Sequence, residues 1–223
     1  MANGSVLFDI DGTLVDSNYL HVESWGHAFA TLGVPVDSWR IHRCIGMDSE
    51  KLMEAMLAGR VDELGDRAKE LHSQYYEQLS DRLRPFDGAR ELVSALASRG
   101  VTVVLATSAP EDELATLREV LGIDDDVAHV TSSADVGTAK PEPDIVEVAL
   151  AKAGSDAAAS FMIGDTVYDV MAAARAGVST IAVLSGGVSA AELLDSGAIA
   201  VYDDVRALLD GLDESPLTSL FGD

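Results

Sequence analysis

Six short runs rich in Val, Ile, Leu and Ala limit what this chain can fold into: SVLFD (5–9), VTVVLAT (101–107), VAHVTS (127–132), SFMIG (160–164), VSTIAVL (178–184) and AIAVY (198–202). Several are apolar at nearly every position rather than at alternate ones. A strand tolerates that only when both of its faces are covered. Helix candidates fill the intervals, at about 87–99, 111–121, 142–153, 167–176, 189–196 and 203–212. Strands alternating with helices in this way form a doubly wound parallel sheet, an α/β architecture. Gly100, Gly122, Gly154 and Gly177 each fall just beyond a helical run, where a left-handed residue closes the last turn. The C-terminal DESPLTSLFGD reads as a loosely held tail.

One interval breaks the rhythm. Residues 17–83 hold no convincing strand but several amphipathic stretches, among them SNYLHVESWGHAFATLG and VDELGDRAKELHSQYYEQLSDRL. In the second, Leu64, Ala68, Leu71, Tyr75 and Leu79 keep one face largely apolar. The expected organisation is an α/β core of residues 1–16 and 84–223, with a small α-helical domain, residues 17–83, inserted after the first strand. The insert leaves at Asp16–Ser17 and returns near Leu83–Arg84–Pro85, two crossings that can act as a hinge.

Charge narrows the partners. Fifteen basic residues against 38 acidic ones leave a formal charge of −23, which argues against nucleic acid and against an anionic membrane surface. No apolar run reaches the roughly 18 residues that span a bilayer. The opening MANGSVLFD lacks the basic and long apolar regions of a signal peptide. A single cysteine, Cys44, makes no internal disulfide, fits a reducing compartment and reads as a small buried side chain. A cytoplasmic location is expected. Only four of the basic residues are lysines, which draws attention to Lys140.

In a parallel sheet the loops beyond the C-terminal strand ends share one edge, and ligands bind there. On that edge the first run ends in Asp9, with Asp11 two residues on, and VVLATSAP ends in Thr107 and Ser108. FMIGDTVYD ends in Asp165, with Asp169 in the next helical turn, and AKPEPDI sets Lys140 at the mouth of a helix. Two ionised carboxylates 4 Å apart repel by about 4 kcal/mol at an effective dielectric of about 20. A hard divalent cation removes that penalty, and oxygen ligands suit Mg²⁺. Together with an ammonium and a hydroxyl it makes a site for phosphate. One Asp can then attack phosphorus while a second moves the proton. No single piece is specific: Asp124 and Asp126 also form an Asp-x-Asp pair, which reads as a solvated loop. The ordered set DxDGTLVDS, LATS, KPEPD and GDTVYD is what carries the signal.

That ordered set, together with the strand–helix alternation and the helical insert, resembles the haloacid dehalogenase superfamily in its phosphoglycolate phosphatase-like and β-phosphoglucomutase-like branch. The resemblance implies a Rossmann-like core with a helical cap. It implies Asp9 as nucleophile, and Asp11 as general acid/base that also offers its backbone carbonyl to Mg²⁺. Thr107, with Ser108, corresponds to the phosphate-binding position, and Lys140 to the lysine that holds nucleophile and phosphoryl group together. Asp165 corresponds to a direct Mg²⁺ ligand, and Asp169 to one acting through water or from behind. Glu142 stands where many relatives carry a small residue and is expected away from the reacting atoms.

Variation within the superfamily prunes the chemistry. Dehalogenases proper lack the second Asp, and phosphonate-cleaving relatives replace it and use a cap lysine. Here Asp11 is present, and the insert's only lysines, Lys51 and Lys69, sit in solvated helical surroundings. Sugar-phosphate mutases often carry a Glu-Asp pair where this chain has GDT. The expected activity is thus Mg²⁺-dependent hydrolysis of a small phosphorylated metabolite. A sugar-phosphate mutase and a catalytically silent binding module are the alternatives, and a receiver-like signalling domain is disfavoured by length and by the insert. In the insert, His21, Arg40 and Arg43 are candidates for reading the organic part of the substrate, with His42 and the turn IGMDSE nearby, while Trp25 reads as core. His21 and His27 lack a third ligand-like partner for zinc. Monomer and dimer are both compatible with the sequence.

Overall fold

In the computed structural model, which describes residues 4–47, 49–138 and 140–222, the apolar runs form six parallel strands. They are β1 (Ser5–Phe8), β2 (Thr102–Ala106), β3 (His129–Thr131), β4 (Phe161–Gly164), β5 (Ser179–Val183) and β6 (Ala200–Tyr202). Ten helices are described: α1 (Asn18–Thr31), α2 (Ser38–His42), α3 (Ser49–Leu57), α4 (Val61–Glu77), α5 (Ala89–Ser98), α6 (Glu111–Leu121), α7 (Asp144–Ala153), α8 (Val167–Arg175), α9 (Ala190–Asp195) and α10 (Val205–Asp210).

The sheet order is β3-β2-β1-β4-β5-β6, with helices on both sides. Phe8 pairs with Leu105 on one side of β1 and with Ile163 on the other. Successive connections run outward from β1 in opposite directions, so the order reverses between β1 and β4, the place where doubly wound sheets open a crevice. Leu7, Val104, Ala106 and Met162 pack against α7 and α8 through Ile145, Val146, Ala149 and Ala172. The alternate positions Val6, Phe8, Val103 and Leu105 are equally buried. A strand covered on both faces must read as a continuous apolar run, which is why these did. Gly122 and Gly154 close α6 and α7 with φ of +60°.

The chain divides into two compact units, Met1–Asp16 with Arg84–Asp223, and Ser17–Leu83. The second is built from α1–α4 around Trp25, Phe29, Ile41, Leu52, Met53, Leu57, Ala68 and Leu71. Cys44 is buried in it, and burial pushes its thiol up although Arg40 and Arg43 pull the other way. On α4 the apolar spacing located the face but not all of its occupants: His72 and Tyr76 are buried as well. Within the first unit, Asp16 N–H donates to Arg84 O at 3.0 Å, and Arg84 Nη2 donates to Asp16 Oδ2 at 2.6 Å. The two chain crossings therefore run side by side.

One expectation fails. The C-terminal stretch is not loosely held: 3₁₀ turns at Leu212–Glu214 and Pro216–Leu220 bury Leu212, Ser215 and Leu217. Arg99 lies 2.8 Å from Asp213 and places its guanidinium 4.5 Å from the centre of the Phe221 ring. Widely spaced apolar residues in a turn-rich segment have no period, so their burial left no pattern to read.

Candidate active site

Three adjacent strands deliver the site. Asp9 follows β1, Thr107 follows β2 and Asp165 follows β4, each one residue past its strand end. Asp9 N–H donates to Ile163 O at 2.9 Å, so the main-chain pairing continues just beyond the strand and fixes where this carboxylate leaves the sheet. Asp169 sits in the first turn of α8. Its Oδ2 accepts from Thr166 N at 3.0 Å and from Thr166 Oγ1 at 2.6 Å, while its own N–H donates to Thr166 Oγ1 at 3.2 Å. This reciprocal cap satisfies orphan donors at the helix start and leaves Oδ1 directed elsewhere.

Oδ1 meets Lys140. The ammonium lies 2.7 Å from Asp169 Oδ1 and 2.9 Å from Asp9 Oδ1, and the lysine side chain is only 1% exposed. Asp9, Asp165 and Asp169, all buried, each bring a carboxylate oxygen within 4.8 Å of the others. Thr13 Oγ1 donates to Asp165 Oδ1 at 2.8 Å, orienting that carboxylate from the loop after β1. Three carboxylates and one ammonium carry −3 + 1 = −2, so the donor set and its charge fit a divalent cation.

Electrostatics reinforce this fit. Burial, helped by Asp169 and Asp11 and opposed by Lys140, pushes the Asp9 carboxyl up to about 7. Burial pulls the Lys140 ammonium down, but Asp169 and Asp9 outweigh it and hold the group above its ordinary value. A cation beside Asp9 favours its ionised form.

The other sequence candidates fall as follows. Thr107 is buried, and its Oγ1 accepts from Ala109 N–H at 3.0 Å, which shapes the turn. Ser108 Oγ is buried without a partner among the described residues, beside Thr107. Asp11 is half-buried, pairs through its backbone with Val15, and contributes no carboxylate to the cluster of three. Glu142 lies 3.0 Å from Arg175. Asp124 is exposed in a 3₁₀ turn and 3.0 Å from Arg118, as a solvated Asp-x-Asp pair should be.

In the helical unit His21 Nδ1 lies 3.1 Å from His72 Nε2, and Tyr19 stacks on His42. Arg40 and Arg43 are exposed, and Arg40 Nη2 reaches Ala55 O at 3.5 Å. Asp48 of the turn around Gly46, Ala139 before Lys140 and the terminal Asp223 lie outside the described residues.

Sequence reasoning missed four supports. Thr13 and Thr166 orient the Asp165 and Asp169 carboxylates, and Ser185 Oγ donates to Gly12 O at 2.6 Å, tying the loop after β5 to the loop after β1. Gly186 is the fourth: a Cβ there would stand 1.8 Å from Asp165 Oδ2. The Thr of DGT and of GDT stood in plain view as signals. Nothing in SGG announced Gly186.

A sequence model described as haloacid dehalogenase-like hydrolase matches residues 6–183. A phosphoglycolate phosphatase of Rhodospirillum rubrum is 31% identical over 93% of this chain and 90% of its own length. The pyrophosphatase PpaX of Halalkalibacterium halodurans is 27% identical over 82% of this chain and 84% of its own. Among solved structures, a hydrolase from Pseudomonas syringae superposes with a TM-score of 0.90 at 35% identity, covering 95% of this chain and 98% of that one. This chain belongs to the haloacid dehalogenase-like hydrolases and is an enzyme of their phosphoric monoester hydrolase type.

Proposed function

We propose that this enzyme is a Mg²⁺-dependent phosphatase that hydrolyses a small phosphate monoester through an aspartyl-phosphate on Asp9. The observation that carries the reading is the position of the Asp9 carboxylate. It lies at the reversal point of the sheet, against the Lys140 ammonium, one strand from Thr107 and Ser108 and one strand from Asp165.

Asp9, Asp165 and the backbone carbonyl of Asp11 would hold Mg²⁺, with Asp169 behind them, and the ion would offset charge on the phosphoryl oxygens. Asp9 attacks phosphorus: its oxygen–phosphorus bond forms as the ester oxygen–phosphorus bond breaks. Asp11 gives the departing oxygen its proton. The same carboxylate then takes a proton from water, whose oxygen attacks the phosphoryl group, releasing phosphate and regenerating Asp9. Lys140 keeps the Asp9 oxygen and the phosphoryl group together. Thr107 and Ser108 supply neutral donors to the oxygens that gain charge.

In this reading, residues 17–83 act as a cap on a core of residues 1–16 and 84–223, and His21, Arg40 and Arg43 select the organic part. Arginine suits a substrate carboxylate, which it can grip with two parallel bonds. The name of the Rhodospirillum relative makes phosphoglycolate the first ester to try. The partner is thus a small metabolite in the cytoplasm, with neither nucleic acid nor membrane, and the enzyme works as a monomer or dimer.

Phosphate release from a panel of phosphorylated metabolites, with Mg²⁺ or chelator, tests this with wild type beside Asp9→Asn. Metal-dependent release is expected to fall by about 10³-fold or more in the variant. Release that survives the substitution overturns the nucleophile assignment. No release from any ester, with isomerisation of a sugar phosphate instead, marks a mutase.

A further inference from the structure

Lys140 is gripped at its ammonium by Asp169, in the first turn of α8. The last residue of the same helix reaches the same loop from outside. Arg175 Nη1 donates to Pro141 O at 2.7 Å and lies 3.0 Å from Glu142 Oε1. The two helical positions are separated by about 9 Å of rise, at 1.5 Å per residue. One rigid helix thus contacts both the tip of the lysine side chain and the carbonyl next along the chain from it.

From the other side, Thr138 N and Oγ1 donate to Asp144 Oδ2 at 3.2 and 2.7 Å, anchoring the approach to the loop on the start of α7. Glu142 completes the Arg175 contact. Its ion pair is half exposed and holds little by itself. The bond from a guanidinium to a main-chain carbonyl is directional and charge-assisted, and it acts on backbone.

We propose that Arg175 is a positioning residue for Lys140: it fixes the Lys140–Pro141–Glu142 backbone so that the ammonium bridges Asp9 and Asp169. Arg175 itself touches none of the reacting groups. The inference rests on the role given to Lys140 above, so its test includes a readout independent of turnover.

Arg175→Met keeps the apolar stem and removes the fork, Arg175→Lys restores one cationic donor, and Glu142→Gln leaves the carbonyl bond in place. In the full chain with Mg²⁺, Arg175→Met is expected to lower kcat by about tenfold with KM changed less than about twofold, since small displacements of a reacting group are costly. Arg175→Lys should recover most of that loss, and Glu142→Gln should stay within about twofold of wild type.

The independent readout is acetylation of Lys140 by acetic anhydride, followed by mass spectrometry in the metal-free protein. Buried and doubly paired, it should react slowly in wild type and at least about fivefold faster in Arg175→Met, as local opening rises. A lower melting temperature with wild-type kcat and wild-type labelling would mean a structural tie only and overturns the proposal. Faster labelling with unchanged kcat overturns it too. Absence of turnover in wild type refutes the phosphatase reading instead, and the labelling still decides whether Arg175 holds Lys140.

Discussion

Each unit of this enzyme buries a cluster of titratable side chains, and the two are built on opposite principles. In the α/β unit, the Lys140 ammonium is kept out of water between Asp9 and Asp169, each within ion-pair distance, while Thr13 donates to Asp165 and Thr166 to Asp169. In the helical unit, His72, 7% exposed, faces His21 at 3.1 Å and lies within an aromatic pile with Trp25 and Tyr76. Burial, and then His21, hold the His72 imidazole well below its ordinary value, so that this buried ring stays neutral. A charged interior needs a partner for every charge and is costly to break. A neutral one only resists being charged.

The largest effect expected from this contrast follows Lys140→Met. It leaves Asp169 as a buried carboxylate without its cation and removes the charge that opposes protonation of Asp9, at about 3–5 kcal/mol of folding stability in the metal-free protein. Mg²⁺ should recover part of that stability but not the activity, which is expected to drop by about 10³-fold. Denaturant midpoints with and without Mg²⁺, beside phosphate release, check both. Equal stability of variant and wild type without metal would show that the cluster is not charged as described.

A smaller effect concerns protons on Asp9. Its folded value, near 7, lies above its unfolded value, so the metal-free fold holds this proton more tightly and loses stability as pH rises through that window. Mg²⁺ must displace the proton to bind. The stabilisation it brings should therefore grow as pH rises towards 7, by about 1.4 kcal/mol per unit when one proton is displaced. Thermal unfolding with and without Mg²⁺ at three pH values between 5.5 and 7.5 measures it, and a gain independent of pH would contradict the assignment.

The smallest lies in the helical unit and has the opposite sign. His72 is neutral when folded and takes a proton near 6.5 when unfolded. Its contribution is thus fully present above that pH and is lost as pH falls below it, with a slope of at most about 1.4 kcal/mol per unit. His72→Phe keeps the stacking and should flatten the acid limb of a urea-midpoint profile between pH 5 and 7. An unchanged slope would assign the acid sensitivity elsewhere.

Much of the α/β unit was legible because its signals are local. A strand covered on both faces is apolar throughout, and a residue just past its C-terminal end must lie on the ligand edge; that places Asp9, Thr107 and Asp165 without any tertiary knowledge. Asp124 and Asp126 match the same spacing yet follow no strand, and they are solvated. The helical unit was legible as helices, with Trp25 and Cys44 as buried, but the polar part of its interior was not. The period of α4 marked Ala68 and Leu71 but left out His72 and Tyr76, because the buried arc is one position wider than the row of apolar residues that marked the face.

The residue types and their order along the chain determined that carboxylates, hydroxyls and a lysine would gather at one edge of a parallel sheet. Only the tertiary structure decided which of them touch. Thr13 meets Asp165 across 152 positions, Ser185 meets Gly12 across 173, and His21 meets His72 across 51. Periodicity and capping act over a few residues, and their signals survive in the linear sequence. A contact between distant segments depends on how whole elements pack, and single residues such as Gly186 or Arg175 carry no mark of it until they do.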